Sequence, residues 1–209
     1  MVNPNKITNY RLSRYHLEET IFFWICVAGK TAASIAPRLD GILKSLHVGF
    51  GMSHYRPFEV IRKLGEENLR DWLKNRGIGC YNLKAKGMYA IAISGIDLKK
   101  CSVEELDAIP GIGLKTASCF VMHSRANARC AGLDTHLLKF LADLGHNVPK
   151  ATPGSKKQYQ ATEKIFLEVA DRMGRTSADM DLLIWRVYSK HPNLKPRLLQ
   201  AVGRKIPLQ

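Results

Sequence analysis

With 209 residues, 45% of them apolar and 24% charged, the chain is long enough to bury a core in one domain or in two lobes sharing one, and its composition is that of a folded protein. Thirty-two Lys and Arg against 18 Asp and Glu leave a formal charge of +14; an excess spread along the chain favours a polyanionic partner, although a ribosomal or membrane-surface role fits charge alone. The longest apolar run, residues 21–28, is far too short to cross a bilayer, so a soluble protein with no membrane partner is expected.

The five cysteines, at positions 26, 80, 101, 119 and 130, show no Cys-x-x-Cys pair and no metal-ligand spacing. Cys26 and Cys119 lie in apolar helical runs and read as buried thiols. An odd number of cysteines with no signal peptide suggests a reducing interior.

In chain order, residues 1–12 are polar and read as a short arm. Ser13 can cap a helix running to about residue 28, in which Leu17, Ile21, Trp24, Ile25 and Ala28 recur at helical spacing. Phe22 and Phe23 add bulk on neighbouring faces, which marks a central core helix. Gly29, Lys30 and Thr31 end it. Helices are expected over 33–46, 57–64 and 66–76, with Gly49 and Gly51 in the first intervening loop. After Gly77-Ile78-Gly79-Cys80-Tyr81-Asn82, a helix over 83–94 carries Lys84 and Lys86. Beyond residue 134 a helix to about 144 presents Leu137, Leu138, Phe140, Leu141 and Leu144. Residues 145–155 are rich in Pro, Gly and small polar groups and read as a lobe boundary; helices follow over 159–173 and 177–188. The tail from His191 sets Lys195, Arg197, Arg204 and Lys205 among prolines, as a frayed basic end or an arm along a nucleic-acid backbone. Strand-like alternation is almost absent, so the expected fold class is all-α. Two helical lobes are expected: residues 13–145, containing a helix-hairpin-helix motif at 103–122, and residues 1–12 with 146–209.

The motif carries the chemistry. Val103, Leu106 and Ile109 repeat at helical spacing, Pro110-Gly111-Ile112-Gly113 interrupts, and an apolar helix resumes at Leu114. Glycines permit the turn and a close approach of whatever docks there. The new helix offers free N–H groups and the positive end of its dipole, a setting suited to phosphate. Lys115 stands directly after the hairpin, and Asp134 follows nineteen positions later (134 minus 115), opening the next helix.

The run PGIGLKTA followed by LDTHLLKFLADLG resembles the helix-hairpin-helix (HhH-GPD) DNA glycosylases, the superfamily of endonuclease III and the 8-oxoguanine DNA glycosylases. GIGCYNLKAKGM resembles the stretch that precedes the motif in that superfamily. The resemblance covers about residues 13–145 and thins toward 188. It implies a bifunctional DNA glycosylase and AP lyase of base excision repair, acting on oxidised bases, 8-oxoguanine first. Lys115 is then the Schiff-base nucleophile and Asp134 the essential acidic group. Pro110, Gly111, Ile112, Gly113 and Thr116 contact DNA, and Lys30 contacts a phosphate where the family commonly places a Gln or Asn plug. The segment SADMDLLIWRV resembles the C-terminal helix of the small archaeal-type 8-oxoguanine glycosylases, which puts Asp181 and Trp185 in the base pocket and makes Lys190 a possible counterpart of their functional lysine. His136 reads as structural packing.

Endonuclease III carries four closely spaced cysteines after its aspartate for an iron-sulfur cluster; none follows Cys130 here, so no cluster, metal or cofactor is expected. The expected partner is double-stranded DNA containing a damaged base, met by a monomer in the cytoplasm with the nucleoid or in the nucleus. Two alternatives stay open: excision of oxidised pyrimidines or another modified base, and a non-catalytic hairpin module that only binds the DNA backbone.

Overall fold

The computed structural model describes residues 2–205, with side chains as far as Gly203; the side chains of Arg204 and Lys205 and residues 206–209 of the expected basic tail lie outside the described residues. The chain divides into two compact units, Met1–Phe120 and Val121–Gln209. Among the described residues the secondary structure is helical, without a strand, and no helix is long and apolar enough to cross a membrane.

The first unit is built around α1 (Arg14–Val27), which starts where Ser13 accepts a hydrogen bond from the His16 N–H. Leu17, Ile21, Phe22, Phe23, Ile25 and Cys26 are all buried, so α1 is enclosed on nearly every side, as its aromatic run implies. Each such Leu, Ile or Phe side chain contributes about 1.5–3 kcal/mol by leaving water. Around it lie α2 (Ala32–Gly49), α3 (Pro57–Leu64) and α5 (Tyr81–Ile93), with Phe22 and Phe58 at 5.1 Å between ring centroids, and α4 (Glu66–Asn75) packs on α5 and α3. Helix α2 runs three residues past the expected end. Gly49 remains helical, and the break comes at Gly51, whose φ is +59°.

The partners of the buried charges Glu18 and Lys84 could not be read from periodicity. Glu18 is only 3% exposed and accepts hydrogen bonds from the Phe58 N–H at 3.0 Å and from Arg14 Nε at 3.3 Å. Helix α3 has Arg56 at its N-cap and no local side-chain cap, so a carboxylate from α1 satisfies one of its first N–H groups instead. Lys84 on α5 is likewise 3% exposed; its Nζ donates to Cys26 O at 2.6 Å, at the C-terminal end of α1. Burial, with a smaller contribution from nearby Lys30, holds the Lys84 ammonium below the ordinary lysine pKa.

After α6 (Val103–Asp107) and the hairpin, the chain passes into the second unit within α7 (Leu114–Ser124). That unit holds α8 (Thr135–Asp143), α9 (Lys156–Arg172), α10 (Ser177–Ser189) and α11 (Lys195–Lys205). Its core joins Leu137, Leu138, Phe140 and Leu141 to Phe166, Val169, Met180, Ile184 and Val187. Tyr159, 1% exposed, donates to Ala131 O at 2.6 Å. Residues 145–155 form no helix and lie inside this unit, where Thr152 Oγ1 donates to Leu133 O at 2.7 Å.

The basic end departs from the expected arm: it folds as α11. Leu198 and Val202 are buried one turn apart, and Asp143 on α8 accepts from both Lys195 Nζ and the Tyr188 hydroxyl at 2.7 Å. Burial opposes ionisation of Asp143, but these two donors and the nearby lysine charges outweigh it, and its pKa lies below the usual aspartate value.

Candidate functional site

The hairpin begins with a capping box. Ser102 Oγ accepts from the Glu105 N–H at 3.1 Å and Glu105 Oε2 accepts from the Ser102 N–H at 2.7 Å, which fixes the start of α6. The turn closes with Ile112 N–H donating to Ile109 O at 3.0 Å, and α7 opens with Ala117 N–H donating to Gly113 O at 3.0 Å. The backbone N–H groups of Leu114, Lys115 and Thr116 precede that bond and form the open positive end of α7. Lys115 and Thr116 are half-buried there, Pro110 and Gly113 are exposed, and the Ile112 side chain is core, leaving only its backbone to meet a ligand.

The two hairpin glycines do different work. Gly111 has φ +87°, and a Cβ on it would lie 2.8 Å from both N and Cα of Gly87 and 2.9 Å from Leu83 O. Its bare backbone therefore packs on the bare backbone of α5. Gly113 has nothing within 4 Å of its Cβ position and keeps that side open. The close approach expected at both glycines is met within the fold at Gly111, while the Cβ position of Gly113 has no neighbour within 4 Å.

Lys30 is exposed, at the corner where Gly29 takes φ +70°. Its Cε and Nζ lie 2.7 and 2.9 Å from where a Cβ on Gly79 would stand, so it rests on the loop entering α5. Helix α5 thus meets Lys30 at its start and the hairpin near its middle, while Lys84 holds the end of α1.

In the second unit Asp134 is the N-cap of α8, with Oδ1 accepting from the His136 N–H at 2.8 Å and the Leu137 N–H at 2.9 Å. The sequence reads this carboxylate as opening a helix, and it does; His136 contributes its backbone to the cap. Asp181 and Trp185 lie one turn apart on α10, both half-buried. Asp181 Oδ2 is 3.2 Å from Nε2 of His123, a fully buried imidazole on the second-unit part of α7. Lys190 Nζ sits 4.8 Å from the centroid of the Trp185 ring. Sequence reasoning assigned His123 nothing, and with its partner 58 residues away no local spacing betrays the pair.

No family model matches the chain. The 8-oxoguanine DNA glycosylase/AP lyase of Thermotoga sp. (strain RQ2) is 29% identical over 177 residues, 84% of this chain and 83% of the relative. That of Thermotoga petrophila is also 29% identical over the same shares. Among solved structures, the 8-oxoguanine DNA glycosylase of Methanocaldococcus jannaschii superposes with a TM-score of 0.66 at 21% identity, over 88% of this chain and 83% of the other. The glycosylase/lyase of that organism in complex with a 15mer DNA containing 8-oxoguanine gives 0.63 at 22% identity, over 85% and 82%. The enzyme of Thermotoga maritima gives 0.63 at 22% identity, over 83% and 81%. The all-α fold of this chain is therefore the fold of the 8-oxoguanine DNA glycosylases.

Proposed function

We propose that the chain is a base excision repair DNA glycosylase with AP lyase activity, removing oxidised bases, 8-oxoguanine first, from double-stranded DNA as a monomer, in the cytoplasm or nucleus where DNA lies. The observation that carries the reading is the set of Thermotoga relatives, named 8-oxoguanine DNA glycosylase/AP lyase, which match over most of both chains. The lysine beside the open N-terminal end of α7 supports it, as does the positive charge.

Breaking the bond between a base nitrogen and C1′ of deoxyribose leaves positive charge on the sugar. Asp134, ionised, stabilises that charge electrostatically. Lys115 attacks C1′ as the free amine, the base departs with its electron pair and takes up a proton, and ring opening gives the Schiff base. Loss of a proton from C2′ then expels the 3′ phosphate and cuts the strand. Extruding the base costs roughly a few kcal/mol; phosphate contacts from the hairpin amides, Thr116 and Lys30 offset it. Asp181 and Trp185, the first oriented by His123 and the second stacked with Lys190, form a wall that reads the extruded base. In this assignment the lobe bearing the hairpin supplies the nucleophile and the C-terminal helices supply base recognition.

The test is single-turnover cleavage of duplexes carrying 8-oxoguanine, thymine glycol or an abasic site, with borohydride trapping. The expected result is preferred cleavage at 8-oxoguanine and a covalent adduct, both lost in Lys115→Gln. Preference for thymine glycol would reassign the substrate; an uncut abasic site and no adduct would leave a DNA-binding module.

A further inference from the structure

We infer that Tyr159, helped by Glu163 and Thr152, is a positioning residue for the Asp134 carboxylate, acting through the loop that carries it. The inference rests on the proposed glycosylase reading, in which Asp134 is the charge beside the sugar, and adds the groups that hold it there. Residues 128–134 form no helix, yet Cys130, Ala131, Gly132 and Leu133 are all buried. A buried loop cannot turn its N–H and C=O groups to water, so they need partners within the protein. The loop supplies a few itself: the Asp134 N–H donates to Gly132 O at 2.6 Å, and the Leu133 N–H to Ala131 O at 3.2 Å.

Side chains from later in the same unit supply others. The Tyr159 hydroxyl donates to Ala131 O at 2.6 Å and accepts from the Leu133 N–H at 3.3 Å, so one oxygen bridges two loop residues. Glu163, one turn further on the same face of α9, accepts from the Ala131 N–H at 2.8 Å. Thr152 Oγ1 donates to Leu133 O at 2.7 Å. Farther along α9, Asp171 holds Arg129 through two bonds at 3.0 and 2.8 Å. The loop is thus held at residues 129, 131 and 133 in turn, and Asp134 comes next. On its other side Asp134 is fixed by the cap it makes on the His136 and Leu137 N–H groups. Electrostatic stabilisation of a transition state works through charge already standing where the opposite charge develops. With its ring 1% exposed, Tyr159 is itself locked in the core and transmits the rigidity of α9 to the segment that ends in Asp134. Its contacts are to the loop backbone, so its part in the reaction is exerted through Asp134.

The experiment measures two single-turnover rates with the full chain, base excision from an 8-oxoguanine duplex and strand cleavage at an abasic site, for wild type, Tyr159→Phe, Asp134→Asn and the double variant. Tyr159→Phe keeps the ring and removes only the hydroxyl bridge. It is expected to slow base excision about tenfold, since displacing a reacting group by about 1 Å can cost about 10²-fold. Cleavage at the abasic site is expected to keep the wild-type rate, because no bond between base and sugar remains to break there. In the Asp134→Asn background the same change is expected to add almost nothing, the mark of two residues acting through one charge. Thr152→Val is expected to slow excision as well, and Thr152→Ser, which keeps the hydroxyl, to match wild type. Tyr188→Phe loses a hydroxyl contact elsewhere in the unit and is expected to leave both rates unchanged. Excision by Tyr159→Phe at the wild-type rate would overturn the inference. So would equal slowing of both reactions, or a fully multiplicative loss in the double variant, since either marks a purely structural role. Should Tyr159→Phe melt below the assay temperature, the Thr152 pair decides, and equal excision by Val and Ser overturns the role. A wild type that removes no base sinks the glycosylase reading and this role together, whereas normal excision by both wild type and Tyr159→Phe sinks the role alone.

Discussion

Replacing each hairpin glycine by alanine separates two roles that the sequence motif merges. At Gly111 the φ of +87° disfavours any L side chain, by about 1–2 kcal/mol. The added methyl would meet Gly87 backbone at 2.8 Å and Leu83 O at 2.9 Å, and wedging a methyl into closed packing costs about 1–3 kcal/mol. Reduced freedom of the unfolded chain returns about 0.4–1 kcal/mol. Gly111→Ala is thus expected to lose about 1–5 kcal/mol, read as a lower urea midpoint by circular dichroism. Gly113 has open space at its Cβ position, and Gly113→Ala is expected to stay within about 0.5 kcal/mol of wild type. Its methyl instead stands where a phosphate would approach the α7 amides, so duplex affinity falls while stability does not. If Gly111→Ala is as stable as wild type, or if the two variants lose stability equally, the assignment of α5 packing to Gly111 alone is refuted.

Asp134→Ala removes the α8 cap and should cost about 1 kcal/mol, whereas Asp134→Asn keeps a capping oxygen and should melt like wild type while excising 8-oxoguanine about 10²–10³-fold more slowly; an active Asn variant would remove the charge from the mechanism. Lys84→Met strands the buried Cys26 carbonyl and is expected to lose about 1–3 kcal/mol. Because the folded-state pKa of Lys84 is depressed, the unfolded chain binds more protons there, so this lysine's contribution becomes more favourable as pH rises through the folded pKa toward the ordinary lysine value; comparing the urea midpoints of wild type and Lys84→Met across that range checks the sign. Asp143→Asn should loosen α11. The stability its lowered pKa reflects is present above the ordinary aspartate value and fades as pH falls through the folded pKa, so wild type and variant should converge in acid.

The helices of the first unit were legible because each carries its own local signals. Ser13 caps α1, Pro57 opens α3, Leu69 and Leu73 face the core of α4, and α3 begins and ends where expected. Asp134 was legible as a cap for the same reason. Interactions between distant segments were hidden. Glu18 and Lys84 look like surface charges on helical faces until their partners, 40 and 58 residues away, are in place. His123 and Asp181 pair across a similar span. Helix α11 was missed because prolines and charges masked the one-turn repeat of Leu198 and Val202, and because its anchor, Asp143, belongs to another helix. Nothing in the Gly-x-Gly pattern distinguishes Gly111 from Gly113, since the difference lies in Gly87, twenty-four positions earlier (111 minus 87).

The Glu18 carboxylate couples the opening of two helices. An eight-residue helix is too short to persist alone, and α3 also lacks a cap of its own. Its first turn is completed by a carboxylate from α1, so the stability of α3 is tied to α1 lying alongside. The Phe58 amide, bonded to a side chain from α1, is then protected from solvent deuterium only while the two helices stay together, and it reports their separation rather than the fraying of α3.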